Sequence, residues 1–367
     1  MGRRLEKRIR KIFDNIKQKP DIIIVKNSSE PFIDKNFFYL TGLDQGLFEG
    51  STVICHQDGK IDLIASELES EIARKIKANI LVYKNKKGYN KYLLDLLKDI
   101  KEVGLNYSGI LQRDFLFFKK KFPKTKLIDV ADSFAKTRAV KDDAEIKKIK
   151  KATKITDEVI KEIPGMLHEG LHEYELAAEI NYLMQKKGAD GPAFDTISSF
   201  GRNTAMPHYT HGSTRLKKGD FVLCDFGACY KRYNSDITRT FVFGKASEKQ
   251  KRIHKTVLDA QKVGLKMIKP GVKGETVHKK VDDFINKTEF KGCFIHSTGH
   301  SLGIAVHDDY IGFKPGSEKI LQENMVLTVE PGIYISGYGG VRIEDDIIVT
   351  KNGFEFLTRS PRDLIEV

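Results

Sequence analysis

Residues 220–244 read DFVLCDFGACYKRYNSDITRTFVFG, and residues 325–350 read MVLTVEPGIYISGYGGVRIEDDIIVT. Each is a pair of β-rich runs around a polar turn, the pattern of an antiparallel hairpin. Folding the first about Tyr230 and Lys231 predicts Asp225 opposite Asp236, and folding the second at SGYGG predicts Glu330 opposite Glu344. Side chains directly opposed in such a pair lie about 4.5–5.5 Å apart at Cβ. Two carboxylates that close repel unless a cation or a shared proton compensates them. Between the hairpins, HSTGHSLGIAVHD (296–308) brings His296, His300 and His307 among glycines. Four inward acids and one imidazole form an oxygen-rich set suited to two divalent ions of the Mn, Co, Fe or Zn type. Paired ions of that kind share a bridging hydroxide and polarise a carbonyl. No thiolate is needed, so the set is not a structural zinc site.

Working outward, each hairpin follows a pair of helical stretches. A long helix ending in IPG (163–165) and HEYELAAEINYLMQKKG (172–188) precede the first hairpin. A long helix ending in KPG (269–271) and ETVHKKVDDFINK (275–287) precede the second. The two halves form a faint internal repeat in which Asp225 falls on Glu330 and Gly227 on Gly332. The segment from Thr137 to Ile163 is charged, has helical period, and starts with Asp142 or Asp143 as an N-cap. A domain boundary is therefore expected near residue 136. Upstream, DIIIV, STVICH, KIDLIA, NILVY and KEVGLN alternate with helical stretches (ESEIARKIKA, GYNKYLLDLLKDI), which predicts a smaller α/β domain.

With 367 residues, 40% apolar and 31% charged, the chain suits a soluble two-domain enzyme. No apolar run reaches the length of a membrane span. The N-terminal stretch carries Leu5, Ile9, Ile12, Phe13 and Ile16 at helical spacing, as a first helix of the fold would, rather than a signal peptide. The net charge of +13 is spread along the chain among 50 acidic residues, so a solvated surface is expected and nucleic acid is not. Cys55, Cys224, Cys229 and Cys293 form no CxxC pair, which fits a reducing, cytoplasmic setting. Cys224 adjoins Asp225 but belongs to the other strand face, as a core thiol would. His56, His168, His172, His211, His254 and His278 stand in polar or helix-surface contexts and are expected to be solvated.

The segments SFGRNTAMPH (199–208), DFGACYKRYNSDITRTF (225–241), STGHSLGIAVHD (297–308), EPGIYI (330–335) and GGVRIEDD (339–346) stand in an order that resembles the pita-bread metallopeptidases. The resemblance is to the branch of Xaa-Pro dipeptidases (prolidases) and Xaa-Pro aminopeptidases. It implies an α+β fold: a pita-bread catalytic domain over 136–367, built as a duplicated helix pair plus β-hairpin with a curved antiparallel sheet, after a smaller α/β creatinase-like domain over 1–135. The first domain carries the likeness mainly through FFYLTGL (37–43) and its layout. Two divalent ions, with Mn or Co favoured over Fe or Zn, are implied on Asp225, Asp236, His300, Glu330 and Glu344. Asp236 and Glu344 would bridge both ions.

By the same resemblance, a bridging hydroxide would attack the scissile carbonyl, and Glu330 would act as general base and then acid. His208 and His307 would donate to the carbonyl oxygen and the developing intermediate. His296 corresponds to a further pocket histidine, Arg342 would hold the carboxylate shell in register, and Tyr334 would also line the site. The implied substrate is a proline-containing di- or oligopeptide, and the implied assembly a homodimer. The sequence departs from the family at serines within HSTGHSLG and at Asp308-Asp309 after His307, positions that touch pocket shape. Cleavage of Xaa-Pro dipeptides is the leading expectation, with Xaa-Pro aminopeptidase action on longer peptides as the alternative. Methionine aminopeptidase, and a non-catalytic binding module on the same scaffold, are more remote.

Overall fold

In the computed structural model, which describes residues 2–308 and 310–367, the chain divides into two compact units, Met1–Arg138 and Ala139–Val367. The first holds a six-stranded sheet of β1 (Ile22–Lys26), β2 (Thr52–His56), β3 (Ile61–Ser66), β4 (Asn79–Tyr83), β5 (Glu102–Leu105) and β6 (Lys126–Asp129), ordered β4-β3-β2-β1-β5-β6. Only β2 runs antiparallel to its neighbours. The five strand-like runs read in the sequence are the first five strands; β6 is an addition, and ESEIARKIKA forms only a short helix at Ser70–Ala73. Among the described residues no helix is long and apolar enough to cross a membrane.

The second unit begins with Asp142 as N-cap of α1 (Asp143–Ile160), accepting from the backbone N–H of Ala144 and Glu145 while Glu145 reaches back to the N–H of Asp142. After α2 (Glu173–Lys186) come β7 (Ile197–Phe200), β8 (Phe221–Phe226) and β9 (Ile237–Val242). The second half repeats the plan with α3 (Glu248–Leu265) and α4 (Gly274–Ile285). It then adds β10 (Gly299–His300), β11 (Gly312–Phe313), β12 (Val326–Val329), β13 (Gly332–Ile335), β14 (Gly339–Arg342) and β15 (Asp345–Thr350). Each helix pair covers its own hairpin. Ile155, Val159 and Ile180 pack with Val222, Cys224 and Phe226, whereas Val257, Ala260 and Val281 pack with Ile333, Val341 and Ile343. Strand alternation then leaves Asp225 facing away from the first core. Cys224 is fully buried in that core.

The first hairpin corrects the expected register. Its two-residue turn is Lys231-Arg232, with φ of 50° and 68°, and Tyr230 pairs with Tyr233. Asp225 therefore opposes Thr238, not Asp236. Asp236 lies two positions from Thr238, on the same face, so the two acids meet on a diagonal. In the second hairpin Val329 faces Asp345 and Gly332 faces Arg342, which sets Glu330 across from Glu344 as expected. The hairpins are joined where the Glu344 N–H donates to the Thr238 carbonyl, at 3.1 Å. His254 departs from its expected solvated place: it lies on the buried face of α3, and burial pushes its imidazole down to about 4.

Gly227 marks the crossing between Asp225 and Asp236. A Cβ there would sit 1.8 Å from the Ser235 carbonyl oxygen, which no backbone tolerates. Gly227→Ala is expected to cost about 2–3 kcal/mol, read as an earlier urea-unfolding midpoint. A midpoint equal to wild type would contradict the close crossing.

Candidate metal centre

His208, Asp225, Asp236, His296, His300, His307, Glu330, Arg342 and Glu344 all line one cavity of about 870 Å³ within the second unit. Asp236, His300 and Glu344 each offer a ligand atom within 4.8 Å of the others. Nε2 of His300 lies 3.6 Å from Asp236 Oδ2 and 3.6 Å from Glu330 Oε1. Its Nδ1 faces the Ser301 carbonyl at 3.2 Å, so Nδ1 carries the proton and Nε2 keeps a lone pair toward the acids. One oxygen of Asp225 is engaged outside this triad: its Oδ2 accepts from Arg342 Nη2.

Burial, with repulsion from Glu344 and Asp225, pushes the Asp236 carboxyl well above the usual carboxylate range. Burial and Glu330 do the same to Glu344. Burial raises Glu330 itself to about 7, against the opposing pull of Arg342. His300, buried and beside His307 at 4.1 Å between ring centres, is held down to about 3. Among the described residues, Oδ1 of Asp225 and Oδ1 of Asp236 are buried with no hydrogen-bond partner. Orphaned oxygens, a neutral imidazole lone pair and carboxylates that resist ionising side by side are the donor set of a divalent cation site. The residues fit the group.

The supporting residues are those the sequence reading passed over. The Thr238 hydroxyl donates to Glu344 Oε2 at 2.7 Å and accepts from Arg342 Nε at 3.0 Å. The Thr328 hydroxyl faces Glu330 Oε1 at 3.3 Å and accepts the His300 N–H at 3.1 Å. Asp346 Oδ2 accepts the N–H of Asp236 at 2.9 Å. Each threonine sits two residues from an acid, so strand period could have pointed to both. Tyr334 takes a definite place, its hydroxyl 2.8 Å from Arg342 Nη1 and 2.8 Å from His296 Nε2. His296 is held down to about 3 by burial and Arg342, and its Nδ1 lies 2.7 Å from the Ser297 carbonyl. Nδ1 must then donate, and Nε2 accepts from Tyr334. Both ring nitrogens are used by the protein itself.

His208 and His307 are exposed at the cavity. The turn before His208 is pinned to the second hairpin by the Gly340 N–H, which donates to Thr204 Oγ1 at 2.7 Å. Beside His307, Asp308 forms a fully buried ion pair with Lys141 at 3.0 Å. Asp309 lies outside the described residues.

Residues 147–351 match the metallopeptidase family M24, and residues 8–140 match the creatinase/prolidase N-terminal domain. The chain belongs to metallopeptidase family M24. It is 38% identical over 347 residues to the Xaa-Pro dipeptidase of Pyrococcus horikoshii, spanning 94% of each protein. Among solved structures, the Xaa-Pro dipeptidase from Bacillus anthracis superposes with a TM-score of 0.91 at 32% identity, covering 100% of both chains. An X-Pro aminopeptidase from Thermotoga maritima gives 0.88 at 32% identity, over 95% of this chain and 98% of its own. This M24 metallopeptidase is a hydrolase with a two-domain, creatinase-like plus pita-bread architecture, and the family implies divalent metal.

Because the raised carboxyls hold protons in the metal-free chain, an incoming ion displaces them. Mn²⁺ binding is expected to release about one proton or more per chain at pH 6.5, with apparent affinity rising and release falling as pH increases past Glu330. Calorimetry in two buffers of different ionisation heat measures this; proton uptake would contradict it. Thr238→Val is expected to weaken Mn²⁺ about 10–100-fold, read by the same titration.

Proposed function

We propose that this metallopeptidase hydrolyses the Xaa-Pro bond of dipeptides, using two divalent ions, Mn²⁺ or Co²⁺, held by Asp225, Asp236, His300, Glu330 and Glu344. The observation that carries the chemistry is the convergence of these five residues with exposed His208 and His307 on one cavity. The proline preference is supported by the full-length similarity to an Xaa-Pro dipeptidase. When bound, the ions supply Lewis-acid polarisation of the scissile carbonyl and lower the pKa of water toward neutrality.

The chain's own residues do the rest. Glu330, with a carboxyl raised to about 7 in the metal-free chain, takes the proton of the attacking water and returns it to the leaving proline nitrogen. His208 and His307 donate to the carbonyl oxygen as negative charge develops there. Arg342 binds Asp225 and is itself fixed by Thr238 and Tyr334. His296 accepts from Tyr334 and so positions this network rather than the substrate. Asp225, through Arg342, and Glu344, through Thr238, are thereby held in one orientation.

Protein loaded with Mn²⁺ or Co²⁺ is expected to split Ala-Pro and Met-Pro while leaving Ala-Ala and Met-Ala-Ser largely intact. No turnover of any Xaa-Pro peptide with metal bound would sink the reading. A series from Ala-Pro to Ala-Pro-Ala-Ala separates dipeptidase from aminopeptidase action. Glu330→Gln is expected to lower kcat about 10²–10⁴-fold, with Thr328 still available to hold the amide.

A further inference from the structure

His300 and His307 are carried by a loop that closes on itself. The Asp308 N–H donates to the Ser301 carbonyl at 2.9 Å, and the Leu302 N–H donates to the Val326 carbonyl, on β12, at 3.0 Å. At the tip, the Gly303 carbonyl accepts the backbone N–H of Asn234 at 3.0 Å and its side-chain amide at 3.1 Å. With the loop closed in this way, the two imidazoles stand 4.1 Å apart between ring centres.

His307 is exposed at the cavity, whereas Asp308, the next residue, is buried. The Asp308 carboxylate meets Lys141 Nζ at 3.0 Å, and the two side chains are only 1% and 0% exposed. Nζ also donates to the Ala139 carbonyl at 3.3 Å. The Lys141 N–H donates to the Asn324 carbonyl at 2.9 Å, so its backbone is rooted on the chain entering β12 and not on the loop. Gly303 leaves room for the pair: a Cβ there would lie 2.5 Å from Asp308 Oδ2 and 3.1 Å from Lys141 Cε. A buried pair of this kind adds little to stability, because attraction only about repays the hydration lost, and apolar residues of similar volume often serve as well. What it does supply is a fixed position for the backbone that carries each charge.

We propose that Lys141 is a positioning residue for hydrolysis, acting through Asp308 to hold the His307 ring on the scissile carbonyl oxygen; this rests on the Xaa-Pro reading above. Lys141 is buried and absent from the cavity lining, so it touches neither substrate nor ion. A donor to a developing oxyanion works only when it is already aimed at the place where charge appears, and a misplacement of about 1 Å can cost 10²-fold in rate. The pair anchors the residue beside His307 from beneath the loop, which keeps the ring from drifting when a substrate enters.

The test replaces both charges by apolar residues, Lys141→Met together with Asp308→Val, because Lys141→Met alone strands a buried carboxylate and confuses folding with function. The metal-loaded double variant is expected to keep the wild-type urea-unfolding midpoint and Mn²⁺ affinity. Its kcat on Ala-Pro is expected to fall about 10–100-fold with KM little changed. In a His307→Ala background the same replacement should cost no further kcat, since the pair acts through that ring. An equal loss with and without His307, or no loss in either background, would overturn the role of Lys141 while leaving the Xaa-Pro reading intact. A fall in midpoint or in Mn²⁺ affinity that accounts for the lost activity would overturn it too, marking the pair as a support of the fold. No turnover of Ala-Pro by metal-loaded wild type would overturn the Xaa-Pro reading and this role together.

Discussion

Burying like charges side by side is the constraint around which the second unit is organised. Asp225, Asp236 and Glu344 are each less than 10% exposed, and the side chain of Glu330 is little more open. Water cannot screen them there, so the fold must either protonate them, pair them or leave room for cations. Arg342 does part of this through Asp225, and its own orientation depends on Thr238 and Tyr334. Removing Arg342 would leave Asp225 buried without its counter-charge. The helix pairs matter for the same reason: they close the far faces of both hairpins and so hold the acids on the remaining face.

Much of this was legible in the sequence because it depends on short-range periodicity. Two β-rich runs with an acid on each side, repeated about 105 residues apart by the alignment of Asp225 with Glu330, fix which residues converge. The register of the first hairpin was not legible. Lys231 and Arg232 both adopt positive φ, a conformation that sequence favours for glycine or asparagine, so nothing in their identity marked the turn. The second hairpin, whose turn includes glycines, was read in its true register.

The roles of Thr238, Thr328 and Asp346 were hidden for a different reason. Threonine in a strand is ordinary: two-residue spacing from an acid places Thr238 and Thr328 on the right face, but cross-strand geometry decides which carboxylate each hydroxyl meets. His254 was misread because its neighbours Lys251, Arg252 and Lys255 are polar, while its own helix face is apolar.

The two-residue alternation of β8 has one more consequence, for which metals this chain can mistake for its own. Cys224 stands next to Asp225 in sequence, yet its sulfur lies in the hydrophobic core, where burial pushes the thiol far above its usual range. None of the four cysteines lines the cavity. A soft, thiophilic ion such as Cu(I) therefore meets only oxygen and imidazole donors, which hold it poorly. Strand geometry here acts as a filter on ion hardness, excluding sulfur from a site it adjoins by a single peptide bond.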